Sequence, residues 1–266
     1  MKSIAIIGAG ITGLRAALNL TQNANVEIVI WDKATSVGGR VATRRFGPTF
    51  VNHGALLFDE PERVFKVDPE ASEYAVQIQL KNEATTLPKS MRDHLLKNKN
   101  VTFRLKEKVL HLSNLGQILS ESGDIKNYDH VLVTTPVDQS REMMKQNFLK
   151  EVKYSKKILF IGELEGKSQR FEMDLDFSEQ FFSLEDDAIR KAAASILKQD
   201  LSRYDLKKWR YAQVLQGVKA SFVPYSPKVT FAGDAFDPSG KYNLAAAWLS
   251  GYKAAQFILE ELKEIP

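Results

Sequence analysis

"GAGITGLRAA", residues 8–17, carries three glycines, Gly8, Gly10 and Gly13, in the spacing G-x-G-x-x-G. The spacing alone is weak evidence, so its flanks decide. Before it, "SIAIIG" (3–8) is a continuous apolar run rich in β-branched residues, as in a central parallel strand buried on both faces. After it, "LRAALNLTQN" (14–23) sets Leu14, Ala17 and Leu18 at helical spacing, and "VEIVIWD" (26–32) reads as a second buried strand. Strand, glycine turn, helix and strand make the βαβ unit that the fingerprint requires.

In such a unit the glycines have separate tasks. Gly8 makes the tight turn, Gly10 admits backbone to a pyrophosphate, and Gly13 lets the helix pack against the strand, its N-terminus favouring the anion. Asp32 ends the second strand, where a carboxylate accepts hydrogen bonds from ribose hydroxyls and repels a ribose 2′-phosphate. NADP is therefore disfavoured for this loop, while NAD and FAD both remain.

The next stretch, "VGGRVATRR" (37–45), bears on that choice. Gly38 and Gly39 admit backbone close to a ligand, and Arg40 offers a planar fork for phosphate oxygens. By themselves the two glycines also read as a flexible loop, and Arg40, Arg44 and Arg45 as a solvated basic patch.

Composition narrows the class. The chain has 266 residues, 44% hydrophobic and 26% charged, enough for one large or two modest globular domains. Its net charge of +4 is small and dispersed and gives no nucleic-acid footprint. The absence of cysteine excludes disulfides, thiolate metal ligands, thiol catalysis and a cofactor tethered through sulfur. The apolar run of "MKSIAIIGAG" is too short for a signal peptide and leads into the glycine loop. No stretch approaches the roughly 18 apolar residues of a membrane span. A cytoplasmic protein with a small-molecule substrate and no nucleic-acid or membrane partner is the expectation, its oligomeric state open.

Farther along, "TFVNHGALLF" (49–58) reads as one strand or two short ones. "YAVQIQL" (74–80) alternates like a half-exposed antiparallel strand, and "LPKSMRDHLLKNK" (87–99) reads as a short helix. "VTFRLKEKVLHLS" (101–113) holds two strands, and "GQILSESGDIKNYDHVLVTTP" (116–136) a hairpin entering a buried strand. "KKILFIGELEG" (156–166), "QFFSLED" (180–186) and "KKWRYAQVL" (207–215) are strand-like, with a helix through "DAIRKAAASILKQ" (187–199). "KVTFAGDAF" (228–236) is a last buried strand, and "LAAAWLSGYKAAQFILEELK" (244–263) a closing helix. The fold class is therefore α/β: a Rossmann-type domain (1–58, 101–150 and 225–266) with an interleaved smaller α+β substrate domain of antiparallel sheet and helices (59–100 and 151–224).

The βαβ fingerprint with the G-G-R loop resembles the flavin-containing amine oxidase and phytoene desaturase superfamily. "GGRVATRR", "KKWRYAQVL" and "FAGDAF…AAAWLSGYKAA" are similar to its renalase-like branch. The resemblance covers residues 1–58 and 207–258; between them only "EKVLHLS" and "DHVLVTTPVDQ" carry it. It implies noncovalent FAD, with its ADP half on Gly8, Gly10, Ile11, Thr12, Gly13, Asp32, Lys33, Gly39 and Arg40. It further implies Val109 beside the adenine, Thr135 and Pro136 near the same nucleotide, and Gly233 and Asp234 toward the ribityl and pyrophosphate. Ala245 and Ala246 would open a helix facing the pyrimidine edge of the flavin, and His53, Gly54 and Ala55 would run beside the isoalloxazine.

A flavin carries the hard step itself, so a catalytic acid–base pair is not required, and no convincing one is present. His53, Trp209 and Tyr211 are the candidate pocket residues; strand alternation sends Trp209 and Tyr211 one way and Arg210 the other. Core packing accounts equally well for these aromatics. The branch implies an oxidase of misreduced or isomeric dihydronicotinamide dinucleotides with dioxygen as acceptor; amine oxidation comes second. One departure concerns residues 59–100, where the chain is short for this superfamily. Relatives have a glycine-rich turn there, but this chain has "TTLPKSMRDHLL" with Pro88. Two alternatives stand beside this reading: an NAD-dependent dehydrogenase, and a non-catalytic or degenerate FAD-binding protein.

Overall fold

A computed structural model describes residues 1–55, 60–72 and 83–264. The stretch read as "YAVQIQL" lies outside them, as do the last residues of "TFVNHGALLF". Strand β1 (Lys2–Ile7) leads through the glycine loop into α1 (Ile11–Asn23) and on to β2 (Val26–Asp32), the expected βαβ unit. A short hairpin follows, β3 (Thr43–Phe46) and β4 (Thr49–Asn52), then α2 (Pro61–Val67) and α3 (Thr86–Leu95). Next come β5 (Val101–Leu105), a meander of β6 (Val109–Leu112), β7 (Gln117–Ser120) and β8 (Ile125–Asn127), then β9 (His130–Val133) and α4 (Val137–Met144).

The chain then builds β10 (Lys153–Leu164), β11 (Lys167–Glu172), α5 (Leu175–Phe181), α6 (Asp186–Leu197) and β12 (Asp205–Gln216). It closes with β13 (Val223–Ser226), β14 (Val229–Phe231) and α7 (Leu244–Glu264).

The central sheet has the order β13-β14-β9-β1-β2-β5, parallel throughout except for β13 at its edge. Both faces of the inner strands β1, β2, β9 and β14 are covered, which is why they read as largely apolar runs. Ile4, Ile6, Ile28, Ile30 and Leu132 pack on one face with residues of α1, α3 and α7. Ala5, Ile7, Val29, Trp31, Val131 and Val133 pack on the other with residues of the meander and α4. A separate antiparallel sheet, β11-β10-β12, has its own core, in which Ile158 and Phe160 meet Phe177, Ile189 and Ala193 of α5 and α6. The protein is thus a mixed α/β fold, a parallel Rossmann-like core with additional antiparallel sheets.

Several local readings need correction. "QFFSLED" is not a strand: α5 runs to Phe181 and a turn follows. Asp174 caps that helix by accepting from the Phe177 amide at 2.7 Å, and Phe177 stacks on Phe181 with centroids 4.4 Å apart. β3 lies inside "KATSVGGRVATRRFGP" (33–48), a polar, glycine-rich stretch that reads as a loop, because the turn around Gly47, at φ +57°, folds "TRRF" back onto "TFVN". α2, α4, β11 and β13 are short, two turns of helix or four to six residues of strand, so pattern reading passed over them.

Candidate dinucleotide-binding site

Glycine geometry shapes the first turn. Gly8 has φ +115°, and its missing Cβ leaves room for the Thr134 hydroxyl, which donates to the Gly8 carbonyl at 3.0 Å. A Cβ on Gly13 would stand 2.1 Å from the Gly8 carbonyl oxygen, so only glycine lets α1 start this close to β1. Gly10 differs: a Cβ there would meet nothing within 4 Å. Gly10 is also the N-cap of α1, which has no side-chain cap and no acid in its first turn. The first-turn amides of Ile11, Thr12 and Gly13 therefore lack a capping side chain beside open space.

The second glycine loop packs against the first. The Gly38 amide donates to the Ala9 carbonyl at 2.8 Å, Gly10 and Gly38 form an isolated bridge, and a Cβ on Gly39 would touch Gly10 Cα at 3.4 Å. Asp32 braces the arrangement, accepting from the Ala9 amide at 2.7 Å and the Ala34 amide at 2.8 Å. A carboxylate has about four lone-pair sites, so each oxygen retains capacity for a ribose hydroxyl. The Lys33 ammonium donates to Gln139 of α4 at 3.3 Å.

Arg40 is held by protein. Its guanidinium makes a bidentate pair with Asp234, both contacts 2.6 Å, and donates to the Tyr211 carbonyl at 3.2 Å. It also lies 5.9 Å from the Tyr154 ring centroid. Burial opposes the Arg40 charge, but the Asp234 carboxylate outweighs it and holds the pKa above its usual value. Burial, together with Asp234, pushes the Tyr154 phenol up. The pair joins the G-G-R loop to the turn after β14, where Gly233 donates to the buried Ser250 hydroxyl of α7 at 2.8 Å.

Other expected residues surround this centre. The Glu107 amide donates to the Asp32 carbonyl at 3.0 Å, bringing the start of β6 at Val109 near the second strand's end. Thr135 shares a 3.0 Å hydrogen bond with Ser140, and Pro136 is the N-cap of α4. Ala245 and Ala246 are fully buried in the first turn of α7. The Ala246 amide is taken by Asn243 Oδ1 at 3.0 Å, whereas the Ala245 amide has no partner among the described residues. α7 reaches α1 through Gly251, where a Cβ would lie 2.2 Å from the Thr12 carbonyl.

Residues 53–55 run beside the G-G-R loop. The His53 amide donates to the Ala42 carbonyl at 2.9 Å and the Ala55 amide to the Arg40 carbonyl at 2.8 Å; a Cβ on Gly54 would fall 1.9 Å from that oxygen. The His53 ring lies 5.6 Å from Trp209, tilted by 33°. Its pKa is lowered to about 4 by burial first, then by Lys207, Arg170 and Arg44, so it is neutral at pH 7. Tyr211 meets Tyr154 edge-on at 5.5 Å. Arg210 lies on the opposite face, 6.0 Å from the Phe182 ring.

Sequence reading missed Thr134, Tyr154 and Arg170. Thr134 follows β9, next to β1 in the sheet, so strand order points to it. Tyr154 and Arg170 carry no local signal. Among the described residues no cluster of three or more His, Asp or Glu could hold a metal ion, and no helix is long and apolar enough to cross a membrane.

Fold and loops together define an α/β protein with a Rossmann-type βαβ unit. Residues 6–68 match the model of the NAD(P)-binding Rossmann-like domain. Over nearly the whole chain the fold is that of solved oxidases. A putative protoporphyrinogen oxidase from Exiguobacterium sp. 255-15 aligns at TM-score 0.69 and 12% identity, over 99% of each chain. Cyclohexylamine oxidase from Brevibacterium oxydans IH-35A aligns at 0.67 and 11%, over 99% of this chain and 100% of the other. A putrescine oxidase with bound putrescine aligns at 0.65 and 10%, over 97% and 99%. At such identities the likeness establishes the fold.

Proposed function

We propose that the protein is an FAD-dependent oxidoreductase of the renalase-like kind, holding FAD noncovalently and taking a hydride from a small reduced substrate. The favoured substrate is a dihydronicotinamide-type dinucleotide, with dioxygen as acceptor.

The observation that carries the reading is the contrast among the glycines. The space that Cβ atoms would take at Gly8, Gly13, Gly38 and Gly54 is occupied by protein, whereas at Gly10 it is open, beside the uncapped start of α1. That is the geometry in which backbone amides receive a pyrophosphate. Asp32 retains acceptor capacity for ribose hydroxyls and carries no partner that would welcome a 2′-phosphate. The residues present therefore fit the group. Arg40, neutralised by Asp234, acts as a clamp between loops, which leaves the α1 amides as the principal anion donors.

Bound there, FAD would supply hydride acceptance and the return of electrons to dioxygen. The chain's own work is to bind, orient and exclude water. Gly10 and the α1 amides hold the phosphates, Asp32 the ribose, and the Ala245 amide offers a donor at the start of α7. His53, neutral at neutral pH, and Trp209 form one wall beside the G-G-R loop. Amine oxidation is the second reading, supported by the fold likeness to cyclohexylamine and putrescine oxidases.

Anaerobic mixing of the yellow protein with 2- and 6-dihydronicotinamide isomers and, separately, with cyclohexylamine tests this. Bleaching of the visible band by a dihydronicotinamide isomer is expected. A flavin that every isomer leaves oxidised would refute the substrate assignment.

A further inference from the structure

One face of the β11-β10-β12 sheet lies against the β3–β4 hairpin, with Leu159, Ile161 and Trp209 packed on Val51 and Phe46. Around that apolar strip the same face carries Lys157, Lys207, Asp205, Arg170 and Glu172, and the hairpin adds Arg44. Asp205 serves two cations, Arg44 at 3.1 Å and Lys207 at 3.3 Å. Glu172 also serves two, Lys157 at 2.5 Å and Arg170. Glu163, farther along β10, is turned back onto the Gly166 amide of its own hairpin. Four cations thus share two carboxylates.

The same region holds three buried nitrogens without hydrogen-bond partners: His53 Nδ1, Arg170 Nε and Trp209 Nε1. Arginine and tryptophan nitrogens can only donate, and neutral histidine can donate from Nδ1. Buried donors left without acceptors are costly, and such groups in native proteins normally find a partner. Arg170 itself is anchored, donating through Nη1 to the Asn52 carbonyl at 2.7 Å.

We propose that the face formed by His53, Arg170 and Trp209, with Arg44 and Lys207, binds an oxyanion group of the substrate, a carboxylate or a phosphate. The three buried nitrogens lack acceptors and the face carries four cations to two carboxylates, so an oxyanion supplies both deficits. An alkylammonium supplies more donors and more positive charge, and the site rejects it. This assignment of the group to a substrate rests on the flavoenzyme reading, and within that reading it selects an anionic substrate over an amine.

The test uses the whole protein loaded with FAD, titrated separately with benzoate, phenyl phosphate and benzylamine. Tryptophan emission and the visible flavin band are followed together. Trp31 and Trp248 are fully buried, so Trp209, half-buried at the proposed site, is the tryptophan that reports binding. Saturable changes with benzoate or phenyl phosphate, and none with benzylamine, are expected; whichever anion binds tighter identifies the oxyanion. In the R44Q/K207Q double variant the tighter anion should weaken by at least about tenfold, and W209F should remove the emission signal. R44Q alone changes a side chain 55% exposed and gives a smaller loss with little risk to folding.

Benzylamine binding as tight as benzoate, or double-variant affinity equal to wild type, overturns the proposal. A protein without flavin that still binds oxyanions selectively through Trp209 would refute the flavoenzyme reading and leave the anion site standing. A flavin-bearing protein without that selectivity would refute the anion site alone.

Discussion

Replacing Gly10 and Gly13, each by alanine, separates the two duties that the fingerprint combines. At Gly13 the new Cβ would lie 2.1 Å from the Gly8 carbonyl oxygen and 3.0 Å from Ile6 Cγ2. Backbone must move, because the nearest atom belongs to the main chain. Overpacking of this kind costs about 1–3 kcal/mol, which for a chain of this size lowers the Tm by roughly 2–12 °C. Gly10 has φ −78° and ψ −179°, ordinary for alanine, and its Cβ would meet no protein atom within 4 Å. The G10A apoprotein should therefore melt within about 0.5 kcal/mol of wild type. Its methyl group would occupy the space in which a pyrophosphate must approach the α1 amides. FAD affinity should then fall by at least about tenfold, or about 1.4 kcal/mol. Thermal melts of the three apoproteins, with FAD titrations by quenching of flavin fluorescence, measure both quantities. Wild-type FAD affinity in G10A, or equal Tm losses in the two variants, would refute the division of roles.

Other consequences follow from the packing. Arg15 and Asp68 are each 1% exposed and paired at 2.5 Å, and Trp248 donates to the same carboxylate at 2.7 Å. D68A leaves the buried Arg15 guanidinium only its 3.4 Å contact to Glu70 and should cost about 3–5 kcal/mol in a urea melt. R40K keeps the charge but not the two-point contact with Asp234; it should lose about 1–2 kcal/mol by the same assay and also weaken FAD binding. Burial lowers the pKa of both His53 and His130 from 6.5 to about 4. Between those values the unfolded chain binds protons that the folded chain does not, so stability falls as pH drops from about 6.5 to about 4 and rises in the opposite direction. Tm against pH should show that slope, and a His130→Asn variant should flatten it.

The Rossmann-like core of this fold was legible because its signals are local. Gly8, Gly10, Gly13 and Asp32 lie within one βαβ unit, and the inner strands β1, β2, β9 and β14 of the sheet are buried and largely apolar on both faces. The β11-β10-β12 sheet was less so, since its strands are half-exposed and mix charged with apolar residues, as in β11 and β12. The role of Arg40 shows the limit best. Sequence places a guanidinium beside a glycine loop but does not reveal that Asp234, far along the chain, faces it at 2.6 Å. The charge surplus around His53 is equally nonlocal. Arg44, Arg170 and Lys207 come from three separate segments and meet only when the hairpin lies on the sheet.

The visible absorption spectrum of the purified protein, before and after heat denaturation, decides whether the chain holds FAD. A flavin band that passes into the supernatant on denaturation, with FAD as the released species, is the predicted result. A colourless protein that added FAD cannot turn yellow would contradict the account.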